Sequence, residues 1–101
     1  MHTIQETAEI GWEAYRERDS RAPRWAETGV ATKEAYVRLA EAVSEWRKTF
    51  SHGGEELAKQ VFFATCVEWN GTKDELWNAT PDLYRAMLIA VLKRMLRATR
   101  P

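Results

Sequence analysis

The residues of this chain that could do chemistry are few, and three of them stand close together. His52 lies in a glycine-rich turn and is followed by Glu55 and Glu56, a spacing that could contribute to a metal site. A divalent transition metal usually needs three or four converging ligands. Two acidic residues at the start of a helix are already explained by the favourable charge of the helix dipole. We therefore expect no metal site and no cofactor.

The single cysteine, Cys66, would be a nucleophile only if a base such as His52 lay within hydrogen-bond reach. Cys66 instead falls within an apolar helix pattern, where a free thiol behaves as a small hydrophobic side chain. The pair Gly53–Gly54 precedes a helix whose N-terminus could bind an anion, but the two glutamates that follow would repel that anion. We therefore predict that the protein is not an enzyme.

Basic residues gather in two segments, Arg16–Arg24 and Lys93–Arg100, and the first of them adjoins Trp25. If the fold brought the two segments together, they would form a basic patch able to contact nucleic acid. Such binding would weaken as salt rises. The chain balances 15 basic against 15 acidic residues, which weakens the argument for bulk electrostatic binding. Nucleic-acid binding is therefore the alternative hypothesis.

A surplus of aromatic and apolar residues favours a protein partner instead. The chain has five Trp, three Tyr and three Phe, more than a four-helix core of this size needs. Phe63, Val67, Ile89 and Leu96 lie off the main apolar stripes of their helices. Such a surplus predicts self-association, as in a homodimer, or docking of another protein. The residues that we predict to contact the partner are Trp25, Arg21, Arg24, Ile89, Leu96 and Arg97.

Hydrophobic periodicity places these residues on four main helices of an all-α, single-domain bundle that spans residues 1–101, and no alternating pattern predicts a sheet. The predicted helices run from about Ile4 to Arg18, Thr32 to Phe50, Glu55 to Trp69 and Thr80 to Leu96. A short helical turn is also expected from Thr72 to Trp77. The predicted N-caps are Thr3 (with Glu6 in a capping box), Thr32, Thr72 (with Glu75) and Thr80 (followed by Pro81).

An internal repeat in the sequence predicts that the bundle consists of two similar hairpins. Trp25-x-x-Thr28 recurs as Trp77-x-x-Thr80, and the apolar positions of the helices that follow match at a constant offset of 48. The hairpins would cover about 3–50 and 54–98. One hairpin cannot bury its apolar face alone, so the two would pack together. Trp25 is then either an anchor that fixes its loop to the core or an exposed hot spot for a partner.

The first hairpin carries aromatic and small residues in a pattern that resembles a known group of proteins. The residues concerned are Trp12, Tyr15, Trp25, Tyr36, Ala40 and Val43. The pattern resembles that of small actinobacterial and phage proteins of unknown function, which implies a helical fold and a phage or mobile-element origin, and no activity. Small helical proteins without a catalytic site are also typical of phage-encoded inhibitors of bacterial defence systems, such as anti-CRISPR proteins. We therefore predict a protein-interaction module, and an inhibitor of this kind as its specific form.

The expected location follows from what the sequence lacks. The first residues do not show the basic-then-apolar order of a secretory signal, and no stretch approaches about 18 uninterrupted apolar residues. A lone cysteine also suits a reducing compartment. We therefore expect a cytoplasmic protein that does not span a membrane.

Overall fold

The computed structural model describes residues 2–50, 53–66 and 68–99, and every regular element within these ranges is helical. The all-α prediction is thus confirmed for the described residues. Their five α-helices are α1 (Ile4–Arg16), α2 (Val30–Arg47), α3 (Gly54–Thr65), α4 (Lys73–Ala79) and α5 (Asp82–Ala98). A one-turn 3-10 helix (Trp25–Glu27) lies between α1 and α2. Of these helices α4 is the shortest, and it stands where a short helical turn is expected after Thr72.

Two of the predicted N-caps are confirmed. The Thr3 hydroxyl accepts a hydrogen bond from the Glu6 backbone N–H at 3.1 Å, and the Glu6 carboxylate accepts one from the Thr3 N–H at 2.9 Å. This reciprocal pair is the capping box expected at the start of α1. The Thr72 hydroxyl accepts from the Glu75 N–H at 3.1 Å and caps α4. Both caps depend on residues three apart, so the local sequence was sufficient to find them.

The other two predicted N-caps are wrong. The cap of α2 is Gly29, so Thr32 lies inside the first turn of that helix. The Thr80 hydroxyl donates to the Leu76 carbonyl oxygen at 2.8 Å and therefore closes α4. The N-cap of α5 is instead Pro81. Only two residues separate α4 from α5, so the threonine between them lies within reach of the last carbonyls of α4.

The first three helices end earlier than the apolar pattern predicts. Arg18, Thr49 and Cys66 lie just beyond α1, α2 and α3, and each donates its backbone N–H to the carbonyl three residues earlier. Such bonds tighten the last turn of a helix and satisfy carbonyls that lack a partner in the helix. The apolar spacing therefore continues for a few residues after the α-helix has ended.

The turn into α3 requires a glycine. Gly53 has a φ of 104°, in the left-handed region that L side chains rarely adopt. A β-carbon at this position would also lie 3.1 Å from the Trp46 ring. Ser51 and His52, which were predicted to form this turn together with the glycines, lie outside the described residues.

The helices pack around a shared core. α1 lies along both α2 and α5, and α3 packs against α5 and α4, whereas α2 and α3 make few contacts with each other. α1 approaches α5 closely at Gly11, where an added β-carbon would collide with the Met95 side chain. The radius of gyration is 13.4 Å, near the roughly 13 Å of a folded chain of about 100 residues. The buried cluster takes residues from all five helices: Ala14, Val43, Leu57, Ala58, Trp77, Val91, Leu92, Met95 and Leu96.

The two Trp-x-x-Thr steps share one local feature and differ in their surroundings. In each of them the threonine N–H donates to the tryptophan carbonyl at 3.2 Å, from Thr28 to Trp25 and from Thr80 to Trp77. Trp25 begins a single 3-10 turn and is half-buried, whereas Trp77 lies near the end of a seven-residue helix and is 2% exposed. The duplication of a whole hairpin therefore stays a prediction.

Candidate functional site

A long groove lies between α2 and α3, and α5 forms its floor. Its volume is about 990 Å³. The α2 wall extends from Ala35 to Phe50, the α3 wall from Leu57 to Thr65, and the floor from Tyr84 to Val91. The groove exists because α2 packs on α1 while α3 packs on α5, so the two walls stand apart. The residues of α2 and of the two positions after its C-cap that line the groove follow the three- and four-residue spacing of one helix face: Ala35, Tyr36, Arg38, Leu39, Ala42, Glu45, Trp46, Thr49 and Phe50.

Aromatic rings line much of the groove. Near the end of α2, the rings of Trp46 and Phe50 lie 4.4 Å apart. Between the α3 wall and the floor, the rings of Phe62 and Tyr84 lie 5.3 Å apart. Phe50 and Tyr84 remain 47% and 49% exposed. Large aromatic side chains that are half covered by their own protein can gain much burial when a partner covers them.

Three tyrosines from three helices line one part of the groove: Tyr15 on α1, Tyr36 on α2 and Tyr84 on α5. Burial raises the pKa of Tyr36 to about 12, and the nearby Tyr15 and Tyr84 add to this shift. Burial also raises the pKa of Tyr84. The Tyr15 hydroxyl donates to the Asp19 carboxylate at 3.4 Å. Tyr36 and Tyr84 therefore stay neutral at physiological pH and contribute no charge to the groove.

Among the described residues, the charged side chains that line the groove are Arg38 and Glu45, both on α2. Each has an oppositely charged partner on its own helix or just beyond it. Arg38 lies 3.7 Å from the Glu34 carboxylate, and Lys48 donates to the Glu45 carboxylate at 3.0 Å. These four side chains are mostly exposed, so the pairs stabilise the fold little. Within residues 53–66 and 68–99, no charged residue of the α3 wall or the α5 floor lines the groove.

Trp25 fastens its loop to the core. Its ring meets Tyr36 edge-on, with centroids 6.4 Å apart at 71°. The same tyrosine meets Trp12 edge-on at 5.2 Å, and the Trp12 indole N–H donates to the Pro23 carbonyl at 2.8 Å. These contacts favour the anchor over the exposed hot spot. Contact between Trp25 and a partner stays a prediction.

One predicted partner residue on α5 is not on the surface. Leu96 was expected on an exposed apolar face, but it is 6% exposed and belongs to the buried cluster, so that expectation is wrong. Ile89 is half-buried and packs against the same cluster. α5 packs against both α1 and α3, which explains why it is apolar on more than one face. On α3, Phe63 is 39% exposed as expected, and Val67 lies outside the described residues.

The predicted arginine contacts are at the surface. Arg21, Arg24 and Arg97 are all exposed, and the Arg21 guanidinium lies 3.9 Å from the Asp19 carboxylate. Arg100, the last residue of the second basic segment, lies outside the described residues. None of the three exposed arginines lines the groove. A partner seated in the groove would therefore meet them only at its edge or beyond it.

The two basic segments meet through an acidic residue. Arg94 donates two hydrogen bonds, at 3.1 and 2.6 Å, to the carboxylate of Glu17, which lowers the pKa of that carboxyl. Arg16 likewise donates two bonds, at 3.0 and 2.9 Å, to Glu13. The fold thus brings Arg16–Arg24 next to Arg94, but Arg16, Arg21 and Arg94 are already paired with carboxylates.

The described residues contain no group of three or more His, Cys, Asp or Glu placed to hold a metal ion. His52, the residue named above as a candidate ligand and base, lies outside the described residues. Cys66 is a half-buried free thiol that directly follows α3. It was expected within the helix, but α3 ends at Thr65. None of the described helices is both long enough and apolar enough to cross a membrane.

Comparison with known proteins finds no relative: no family model matches the chain, and neither a curated protein nor a solved structure matches it. The resemblance to small phage and actinobacterial proteins stays a prediction. Sequence reasoning missed the groove itself. Apolar periodicity predicts the helix from Thr32 to Phe50, but no local signal separates the part of an apolar stripe that a neighbouring helix covers from the part that it leaves open.

Proposed function

We propose that this protein is a non-enzymatic protein-interaction module and that the groove between α2 and α3 is its docking surface. The observation that carries the proposal is the lining of the groove, which is rich in aromatic rings and, among the described residues, charged only at Arg38 and Glu45. The centres of protein interfaces are enriched in aromatic residues and depleted of charged ones. Phosphates and other strongly charged ligands need several cations, whereas the one described cation of the lining, Arg38, is paired with Glu34.

The specific form that we propose is an inhibitor that occupies the surface of its partner, as phage-encoded inhibitors of bacterial defence systems such as anti-CRISPR proteins do. Support comes from the small size of the chain and from the resemblance carried by the hairpin residues named above. A cytoplasmic location belongs to the same proposal, because defence nucleases act in that compartment. This part of the proposal is an analogy and depends on the partner being such a system.

Nucleic-acid binding is the second candidate. The observation in its favour is the contact between Arg94 and Glu17, since it brings the two basic segments side by side. The same contact neutralises part of the charge, and the pairing of Arg16 with Glu13 neutralises more. Binding of this kind would be salt-dependent, because each phosphate contact releases counterions.

Two alanines one turn apart on α2 test the docking surface. Ala31 and Ala35 are both exposed, but only Ala35 lines the groove. Ala35→Glu is expected to reduce partner capture at least about tenfold, because docking would desolvate the new carboxylate, and a loss of about 1.4 kcal/mol is already tenfold. Ala31→Glu is expected to leave capture unchanged. The measurement is quantitative mass spectrometry of the proteins that the wild-type protein and each variant retain from a bacterial lysate.

Two other outcomes would decide against the groove. If all three proteins retain the same partner equally, the partner binds elsewhere on the molecule. If all three retain nucleic acid that is released as salt is raised above about 50 mM, the second candidate is favoured. Circular dichroism of both variants controls for folding, and we expect their helix content to match that of the wild-type protein.

A further inference from the structure

The walls of the groove restrict the backbone conformation of anything that occupies it. Both walls and the floor are helices, whose backbone N–H and C=O groups bond within their own helix. An extended peptide in such a groove would have its own backbone groups desolvated without partners, which costs free energy for each group. A helix satisfies its own backbone and presents only side chains. The walls therefore favour a helical occupant over an extended one.

The dimensions fit one helix of about four turns. From Ala35 to Arg47 the wall rises about 18 Å, at roughly 1.5 Å per residue, and Phe50 beyond the end of α2 lengthens the wall to about 20 Å. A helix about 10 Å across and 20 Å long occupies roughly 1,600 Å³. The groove volume of about 990 Å³ holds more than half of such a helix and is too small for two. The occupant would thus bury one face and leave the opposite face in solvent.

The charge of the groove indicates the chemistry of that buried face. Both charged lining residues, Arg38 and Glu45, stand on the α2 side. A charged side chain on the buried face of the occupant would lose its hydration without gaining a partner on the α3 wall or the floor. The part of the buried face that meets the α3 wall and the floor must therefore be apolar, while the solvent face can be polar. That combination describes an amphipathic helix.

A second copy of this chain does not supply such a face. Among the described residues, the large apolar side chains exposed outside the groove are Val30, Phe63, Trp69 and Leu83. They stand on four separate segments: α2, α3, the loop after α3 and α5. None of them forms a stripe along a helix. A second copy would thus bring only its own groove, and two concave surfaces facing each other leave apolar area uncovered.

We infer that the groove between α2 and α3 takes one amphipathic helix of about four turns from a different protein, with an apolar face turned toward Phe62 and Tyr84. This inference rests on the proposed function, since it specifies what docks on the proposed surface. It predicts large apolar side chains on the occupant at positions i, i+3 or i+4, i+7 and i+11.

The probe is a set of 16-residue peptides selected from a random displayed library on the wild-type protein and then synthesised. We expect the peptides to carry the apolar spacing given above and to gain helical circular dichroism when they are mixed with the protein. Ala64→Arg should weaken their binding at least about tenfold, because Ala64 is an exposed residue of the α3 wall. Ala86→Arg is the matched control, since Ala86 is an exposed alanine of α5 that does not line the groove.

The outcomes separate this inference from the proposed function. Peptides that lose binding with Ala64→Arg but gain no helicity would overturn the helical occupant and leave the docking surface standing. Binding that Ala64→Arg does not change, or a failure to recover any peptide that depends on the groove, would overturn both. A wild-type dimer in light scattering that Ala64→Arg dissociates and Ala86→Arg does not would assign the groove to a second copy, against this inference.

Discussion

Trp77→Ala is expected to lower the free energy of unfolding by about 3–5 kcal/mol, the usual cost of removing a large aromatic side chain from a core. Trp77 is 2% exposed, belongs to the central cluster and meets Phe62 edge-on at 6.3 Å. Its loss would leave a cavity beside Phe62, which belongs to the α3 wall of the groove. Small domains are stable by only about 5–15 kcal/mol, so the variant should be close to unfolding. Urea denaturation followed by circular dichroism measures the change.

Trp69→Ala is the control of the same residue type. Trp69 is 38% exposed, and the main polar contact of its side chain is the hydrogen bond from its indole N–H to the Thr72 carbonyl at 3.0 Å. We expect its removal to cost about 1 kcal/mol or less, the net value of one hydrogen bond. If both substitutions lowered the free energy of unfolding equally, α4 would not contribute to the core in the way described above.

Leu92→Ala is expected to lower the free energy of unfolding by about 2–5 kcal/mol. Leu92 is fully buried on α5, the helix that packs against both α1 and α3. Removing its branched end leaves a cavity where these three helices meet, and core density permits only partial collapse. Denaturant unfolding and thermal unfolding should both rank Leu92→Ala as less stable than the wild-type protein. A loss of about 1 kcal/mol shifts the melting temperature of a domain of this size by several degrees.

Leu83→Ala on the same helix provides the comparison. Leu83 is 81% exposed, and we expect its removal to change the free energy of unfolding by no more than about 0.5 kcal/mol. If the two substitutions lowered the free energy of unfolding equally, the face of α5 assigned to the core would be the wrong one. The groove floor lies on that helix, so the assignment of the groove would then be wrong as well.

The outline of the fold could be predicted because its signals are local. The three- and four-residue spacing of apolar residues identified the helices, and the threonine caps at Thr3 and Thr72 each bond a backbone N–H three residues later. The Glu6 side chain completes a capping box at Thr3. Thr80 was assigned to the wrong helix because its hydroxyl can reach a carbonyl of α4 as well as an N–H of α5, and the loop geometry decides between them. The geometry of that loop cannot be read from the residues next to Thr80.

The candidate site could not be predicted because it depends on the distance between α2 and α3. Leu96 and Phe50 both lie on apolar helix faces in the sequence, yet Leu96 is 6% exposed and Phe50 is 47% exposed. The difference arises because α1 and α3 cover α5, whereas no described helix covers the groove side of α2. Periodicity shows that a face is apolar, and only tertiary packing shows whether the protein covers that face itself.

A photocrosslinking experiment in cells of the natural host tests most directly whether a protein partner occupies the groove. A diazirine amino acid is placed at Ala64, which lines the groove, and in a second protein at Ala86, which does not. After irradiation we expect a crosslinked partner protein from position 64 and none above background from position 86. Crosslinks of equal yield from both positions, or from position 86 alone, would contradict the assignment of the groove as the docking surface.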